Sequence, residues 1–221
     1  MTESFLTVRE TAHDEIVIQK SRFIGFAFPC ASEEEAQDHL KKLKDEYRDA
    51  THHCYAYLIG ANKGIMRYSD DGEPGGTAGL PIMNVLLAKN IVNCCIVVVR
   101  YFGGTKLGTG GLSRAYTQGC QIALRAAGLV RMEKTLVRDC RIPYSSWDSF
   151  LHLLPKIPAR IGAVEYGTDI SFRLYIRLRD SEAVMETVQK AAVRTVRVVA
   201  EDERYEPWEA DQDIPDDSAF Q

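Results

Sequence analysis

Five glycines and three basic side chains follow an apolar stretch near the middle of the chain. The segment VVVRYFGGTKLGTGGLSRAY begins at Val97 and reads as a buried strand, a glycine-rich connection and the start of a helix. The first backbone N–H groups of a helix lack intrahelical partners, and the helix dipole favours negative charge there. Guanidinium and ammonium groups add strong hydrogen bonds to an anion. We therefore predict an anion site formed by Arg100, Gly103, Gly104, Lys106, Gly110, Gly111 and Arg114. The alternative is a turn that only lets helix and strand pack closely.

The helix predicted from about Leu112 to Ala127 carries a polar face. Positions i, i+4, i+7 and i+11 of a helix share one face, and here they hold Arg114, Gln118, Gln121 and Arg125. Two arginines and two glutamines without an acid are suited to lie along a phosphate backbone. We add Gln118 and Arg125 to the predicted anion site, with a solvated helix face as the alternative.

A cluster of carboxylates precedes this region in the segment YSDDGEPGGTAGLP. Asp70, Asp71 and Glu73 lie at the end of a predicted strand and beside a Gly-Gly pair. Carboxylate oxygens are the ligands that Mg²⁺ prefers, and they also serve as general acids or bases. The sequence therefore offers a candidate Mg²⁺ site or catalytic group, although Asp, Gly and Pro are also ordinary turn residues.

Two adjacent histidines, His52 and His53, begin another predicted strand. Neighbouring strand residues point to opposite faces, so at most one of them reaches a given site. Either is a candidate proton carrier, with packing as the alternative. The six cysteines form no C-x-x-C pair, which predicts reduced core residues in a cytosolic protein rather than a disulfide or zinc framework.

The charge distribution is uneven along the chain. The net charge is −4, yet the residues from Glu201 onwards carry nine acids and one arginine, so the first 200 residues carry the difference, +4. No acid occurs between Glu73 and Glu133, the interval that holds the glycines. Such an asymmetry favours an anionic partner for the basic region and a repelling or competing role for the acidic tail.

The order of predicted elements indicates two α+β domains and a tail. A first domain is predicted over residues 1–133. Its predicted elements are strands, a helix with a capping box, a strand pair, two further helices and an apolar central strand. Residues 134–205 read as β-α-β-β-α-β, the ferredoxin-like order. Residues 206–221 are predicted to be an acidic, disordered tail. No apolar run reaches the ~18 residues of a membrane span, and the start of the chain lacks an export pattern, so we expect a cytoplasmic protein.

Four segments together resemble the IMPACT family, in particular its bacterial members. They are KSRFIG from Lys20, ATHHCYAY from Ala50, SDDGEPGGTAGLPI from Ser69 and the glycine-rich run from Val97. The resemblance covers the first domain almost throughout. It implies a ribosomal protein S5 domain 2-like fold there and a small ferredoxin-like (βαββαβ) C-terminal domain. Proteins that share these folds meet RNA or the ribosome, and eukaryotic IMPACT is implicated in translational control. The family offers no agreed catalytic residues to transfer.

The leading functional hypothesis is a non-enzymatic cytosolic regulator of translation. It would bind RNA or the ribosome through the glycine-rich basic site, without a cofactor. The alternative is a Mg²⁺-dependent enzyme acting on a nucleotide or another phosphorylated small substrate. In that case Asp70, Asp71 and Glu73 would surround the metal, and His52 or His53 would transfer protons. A third hypothesis is a protein-binding module that uses the acidic tail to bind a protein partner in translation control.

Overall fold

The computed structural model of the chain describes residues 4–190 and 196–208. The chain divides into two compact units, of which one holds Met1–Arg131 and Trp208–Gln221 and the other holds Met132–Pro207. Each unit combines antiparallel strand pairs with helices, which confirms the predicted α+β class. Among the described helices, none is long and apolar enough to cross a bilayer.

Within residues 4–128, the first unit contains six strands and three helices. In chain order they are β1 (Ser4–Val8), β2 (Ala12–Ile18), β3 (Ser21–Pro29), α1 (Glu33–Glu46), β4 (His52–Ile59), β5 (Ile65–Ser69), α2 (Gly79–Ala88), β6 (Cys94–Tyr101) and α3 (Gly108–Ala127). Five of the strands form an antiparallel sheet in the order β2-β3-β6-β4-β5.

Strand β6 lies at the centre of this sheet and is buried on both faces. Cys94, Ile96 and Val98 pack in one core with residues of α2 and α3, whereas Cys95, Val97 and Val99 pack in a second core with α1. Since both faces are covered, the strand is apolar at every one of these positions, and the predicted central strand is confirmed. The adjacent Cys94 and Cys95 face opposite cores. All six cysteines are buried without forming a disulfide, as the sequence predicts.

Helix α3 begins four residues earlier than the apolar periodicity predicts, at Gly108 rather than near Leu112. It lies against β3 at a contact between two backbones, because a Cβ added to Gly25 would stand 2.0 Å from the carbonyl oxygen of Gly119. This close approach leaves the opposite side of α3 on the surface. The helix ends at Ala127 and is capped by Gly128, whose φ of 64° a glycine adopts readily.

The second unit has the predicted β-α-β-β-α-β order. Its elements are β7 (Leu129–Ile142), α4 (Tyr144–Leu153), β8 (Ala159–Tyr166), β9 (Ile170–Arg177), α5 (Ser181–Lys190) and β10 (Arg197–Trp208). The first three residues of β7 and the last residue of β10 belong to the first unit. Strand β7 lies between β9 and β10, and β8 pairs with the other side of β9. One face of the sheet buries Phe150, Trp147 and Phe172 in a separate apolar core.

The end of the chain differs from the predicted tail in one respect. Residues 206–208, predicted to begin a disordered tail, belong to strand β10. Arg160 forms an ion pair with Glu206 at 3.2 Å, so this acid is part of a folded sheet. Residues 209–221, the rest of the predicted tail, lie outside the described residues.

Candidate nucleic-acid interface

Arg100, the first basic residue of the predicted anion site, lies in a buried polar network. Its side chain is 5% exposed, and its Nη1 donates a hydrogen bond to Glu73 Oε1. Tyr116 donates from its hydroxyl to the same carboxylate oxygen at 2.8 Å, and Ser21 Oγ accepts from Arg100 Nη2 at 3.3 Å. A buried guanidinium that is paired with a carboxylate is not available to a phosphate on the surface. Arg100 is therefore removed from the predicted phosphate contacts.

Aromatic rings complete the surroundings of Arg100. Its Cζ lies 5.3 Å from the ring centroid of Phe23 and 5.4 Å from that of Phe102, so the charge also has cation–π contacts. His52 Nε2 lies 3.8 Å from the same oxygen, Glu73 Oε1. Sequence spacing gave no sign of this network, because Tyr116 is 43 positions from Glu73.

Asp70 stabilises the beginning of helix α2, although it lies several residues before the helix in the sequence. Its Oδ1 accepts hydrogen bonds from the backbone N–H groups of Ala78 and Gly79, both at 2.9 Å, and its Oδ2 accepts from that of Gly76 at 2.8 Å. Burial alone would raise the pKa of the Asp70 carboxyl, but these three bonds outweigh it and hold the pKa below its ordinary value. Since Ala78 has no side chain that can cap α2, Asp70 supplies the missing acceptor.

Asp71 joins the same loop to the start of β4. Its Oδ2 accepts from the backbone N–H of His53 at 2.7 Å, and its Oδ1 lies 3.2 Å from Lys44 Nζ. His52 Nδ1 lies 2.8 Å from the Asp71 carbonyl oxygen. The His53 ring is buried, and this burial lowers its pKa below the ordinary value. The His52 ring and the His53 backbone N–H therefore both hold the carboxylate loop against the sheet.

These contacts do not support the predicted Mg²⁺ site. The three carboxylates turn to different partners: backbone amides for Asp70, Lys44 and an amide for Asp71, and a guanidinium for Glu73. A divalent cation at Glu73 would stand beside the positive charge of Arg100. Within residues 4–190 and 196–208, no three His, Cys, Asp or Glu side chains are placed to hold a metal ion together.

The glycines of the connection between β6 and α3 separate into two kinds. Gly103 allows a close backbone approach, since an added Cβ would stand 2.0 Å from the carbonyl group of Lys20. Its N–H already donates to Ser21 Oγ at 3.2 Å and is not a donor for a ligand. Gly104 has a φ of 85° and open space at its Cβ position. Gly103 therefore serves the close approach of two backbone segments, and Gly104 remains a predicted contact for an anion.

The first turn of α3 contains Gly110 and Gly111. Leu107, at the N-cap, offers no side-chain acceptor, and the turn carries no acidic residue. A Cβ added to Gly110 would lie 3.8 Å from Arg114 Nη1, so the Arg114 guanidinium lies beside this turn. The structure thus brings Arg114 and Gly110 together, as the sequence predicts.

The polar face of α3 lines an open groove, here called the α3 groove, with a volume of about 670 Å³. Its lining residues are Ile16, Ser113, Arg114, Thr117, Gln118, Gln121, Ile122 and Arg125. The four polar residues predicted to share a helix face all belong to this lining, whereas Lys106 does not. Sequence reasoning missed Ile16, which enters from strand β2, because only the packing of β2 beside α3 places it there.

Comparisons with known proteins extend over most of the chain. The Impact N-terminal domain family matches residues 19–124. The IMPACT family member YvyE of Bacillus subtilis is 37% identical over 186 residues, which span 84% of this chain and 86% of YvyE. The IMPACT family member YigZ of Escherichia coli is 44% identical over 110 residues, which span 49% of this chain and 54% of YigZ.

Two solved structures are also similar to this chain. The crystal structure of a hypothetical protein is 30% identical, covers 90% of this chain and 98% of its own, and superimposes with a TM-score of 0.58. A structure of the two-domain translational regulator Yih1 is 26% identical and covers 55% of this chain and 46% of its own. Its TM-score of 0.32 is too low to support a structural argument.

Proposed function

Because this chain belongs to the IMPACT family, we propose that it is a cytosolic regulator of translation that binds RNA, free or in the ribosome, through the α3 groove. The regulatory role is what the family resemblance implies. The RNA-binding role is supported by one observation above the others: two arginines and two glutamines lie along a single surface groove whose lining contains no acid.

The basic residues of the groove have the spacing of an extended polyanion. Arg114 and Arg125 are both exposed. At 1.5 Å per residue, their Cα atoms are roughly 16 Å apart along the helix. A single small anion does not span that distance, whereas successive phosphates of a nucleic acid do. No acidic residue of the chain lies between Glu73 and Glu133 to oppose such a ligand from within this segment.

The remaining groove residues favour recognition of the backbone over recognition of bases. The lining contains no aromatic side chain, and stacking on aromatic rings is how proteins commonly read single-stranded bases. Gln118 and Gln121 offer amide donors and acceptors that suit phosphate oxygens and ribose 2′-hydroxyls. We therefore expect binding that depends little on sequence and that is at least as strong for duplex RNA as for a single strand.

The test is the binding of a fluorescein-labelled 20-bp RNA duplex to the full chain, measured by fluorescence anisotropy between 50 and 200 mM salt. We expect the affinity to fall as salt rises, because phosphate neutralisation releases counterions. Replacing both arginines, Arg114→Ala with Arg125→Ala, removes two such contacts. The double variant should bind at least tenfold more weakly at 50 mM salt, and its log–log salt slope should be smaller by about 1.8.

A matched control changes the same number of charges on the opposite face of the sheet. Lys41 and Lys42 are exposed on α1, so Lys41→Ala with Lys42→Ala should alter the affinity by less than about threefold. Co-sedimentation with purified ribosomes, using the same variants, separates free RNA from ribosomal RNA as the target. Absence of binding at 50 mM salt, or a double arginine variant with the wild-type affinity and slope, would contradict the proposal.

A further inference from the structure

The acidic segment that follows strand β10 has the charge and the position to reach the α3 groove. We infer that residues 209–221 are an intramolecular ligand of this groove and compete there with RNA. The competition part of this inference rests on the proposed function, because it requires that RNA binds in the same groove. The docking of the segment itself can be measured without RNA.

Charge complementarity is the first argument. Residues 209–221 contain no lysine or arginine, and their five acids are Glu209, Asp211, Asp213, Asp216 and Asp217. A guanidinium binds carboxylates and phosphates with the same fork of N–H donors. The side chains of Arg114 and Arg125 that suit a phosphate backbone therefore also suit a run of spaced carboxylates. The two ligands cannot occupy those donors together.

The starting point of the segment is the second argument. Trp208, the last described residue, is only 9% exposed and groups with the first unit, the unit that contains α3. The acidic segment thus starts from the unit that carries the groove. Thirteen extended residues reach roughly 45 Å, whereas a compact body of about 130 residues has a radius of gyration of about 14 Å. The groove lies within the reach of the segment.

Tethering makes even a weak contact effective. A short flexible connection holds its ligand at an effective concentration on the order of 1 mM. Competition lowers the apparent RNA affinity by a factor. That factor equals one plus the ratio of the effective concentration of the segment to its dissociation constant. A dissociation constant on the order of 0.2 mM would therefore weaken RNA binding about sixfold.

The first experiment neutralises the segment in the full chain. The changes are Glu209→Gln, Asp211→Asn, Asp213→Asn, Asp216→Asn and Asp217→Asn. We expect the affinity for the 20-bp RNA duplex to rise about fivefold at 50 mM salt, and the gain to shrink at 200 mM salt. A neutralised variant that binds RNA with the wild-type affinity would overturn the inference.

A control variant separates docking from a general effect of net charge. It removes five exposed acids that lie elsewhere on the chain, through Glu10→Gln, Glu34→Gln, Asp38→Asn, Asp148→Asn and Glu182→Gln. This control has the same net charge as the full chain whose segment is neutralised, yet its RNA affinity should rise less than twofold. An equal gain in both variants would assign the effect to net charge and would overturn the inference.

The second experiment needs no RNA. A fluorescein-labelled peptide of residues 209–221 is titrated with the full chain whose own segment is neutralised. We expect saturable binding that is lost when Arg114→Ala and Arg125→Ala are added, and no saturable binding would overturn the inference. Peptide binding without RNA binding would keep the docking of the segment in the α3 groove and would reject the proposed function together with the competition that depends on it. RNA binding without peptide binding would keep the proposed function and reject the docking.

Discussion

Glu73 and Arg100 form a buried ion pair that holds the carboxylate loop against the central strand. Both side chains are 5% exposed or less, and Tyr116 donates to the same carboxylate. Removal of one partner from such a pair leaves an uncompensated charge in the interior. We predict that Glu73→Gln lowers the free energy of unfolding by about 3–5 kcal/mol, measured by urea denaturation.

The double variant Glu73→Leu with Arg100→Met provides the informative comparison, because it removes both charges together. It should be more stable than Glu73→Gln, since apolar residues often replace a buried pair without loss. The exposed Glu34→Gln should stay within about 0.5 kcal/mol of wild type. A Glu73→Gln protein as stable as wild type would show that the pair contributes little.

Asp70 gives the loop a dependence on pH. Its pKa is lower in the folded chain than the ordinary value of 3.8, because the amides of Gly76, Ala78 and Gly79 outweigh the effect of burial. Its stabilising contribution is therefore complete above pH 3.8 and is lost as the pH falls through the folded-state pKa.

We predict that Asp70→Asn lowers the free energy of unfolding by about 1–2 kcal/mol at pH 7. The difference from wild type should shrink below the ordinary pKa of the carboxyl, since Asn does not titrate. Chemical denaturation at pH 7 and pH 3 measures both values. Asp38→Asn, on the exposed side of α1, serves as the control with little change at either pH. A difference that stays constant with pH would contradict this account of Asp70.

At the scale of elements, the contact between α3 and β3 determines where the α3 groove lies. Gly25 and Gly119 allow the two backbones to meet, and a Cβ at Gly25 would be 2.0 Å from Gly119 O and 3.1 Å from Ala123 Cβ. The obstacle is backbone, which cannot move aside as a flexible side chain does. Helix and strand would have to separate to admit even a methyl group.

We predict that Gly25→Ala destabilises the first unit by about 1–3 kcal/mol or more, measured as a lower thermal midpoint. The control is Gly110→Ala in helix α3, where the one neighbour found within 4 Å of the added Cβ is Arg114 Nη1, at the far end of a flexible side chain. That change should be neutral or should stabilise the chain by up to about 1 kcal/mol, because alanine favours the helix. Equal destabilisation by both substitutions would contradict the proposed packing constraint.

At the scale of the whole molecule, the two units have separate apolar cores. Phe23 is fully buried in the core that includes α2 and α3, and Phe150 is fully buried in the core of the second unit. We predict that Phe150→Ala costs the second unit about 3–5 kcal/mol and leaves RNA binding through the α3 groove within about threefold of wild type. Phe23→Ala should reduce both stability and RNA binding.

Denaturant unfolding followed by circular dichroism, run beside the RNA anisotropy titration, measures the two effects on the same samples. Loss of RNA binding in Phe150→Ala, while the first unit stays folded, would contradict the assignment of binding to the α3 groove alone.

Local spacing in the sequence determined much of this protein. The buried central strand, the helix with Ser32 as its cap and the β-α-β-β-α-β order all follow from periodicity and capping over short stretches. The polar face from Arg114 to Arg125 also follows, because a helical repeat alone decides which side chains share a face. For these features the determining contacts lie within about a dozen residues.

Tertiary structure alone decided which charged residues remain on the surface. Arg100 and Arg114 look equivalent beside the glycines, yet Arg100 is paired with Glu73, which is 27 positions away, and Arg114 lies on the α3 groove. From the sequence alone, the loop carboxylates are a candidate metal site. In the structure, their partners are distant backbone amides and a guanidinium. The physical reason is that burial and ion pairing depend on which distant segments the sheet brings together, and no local pattern encodes that.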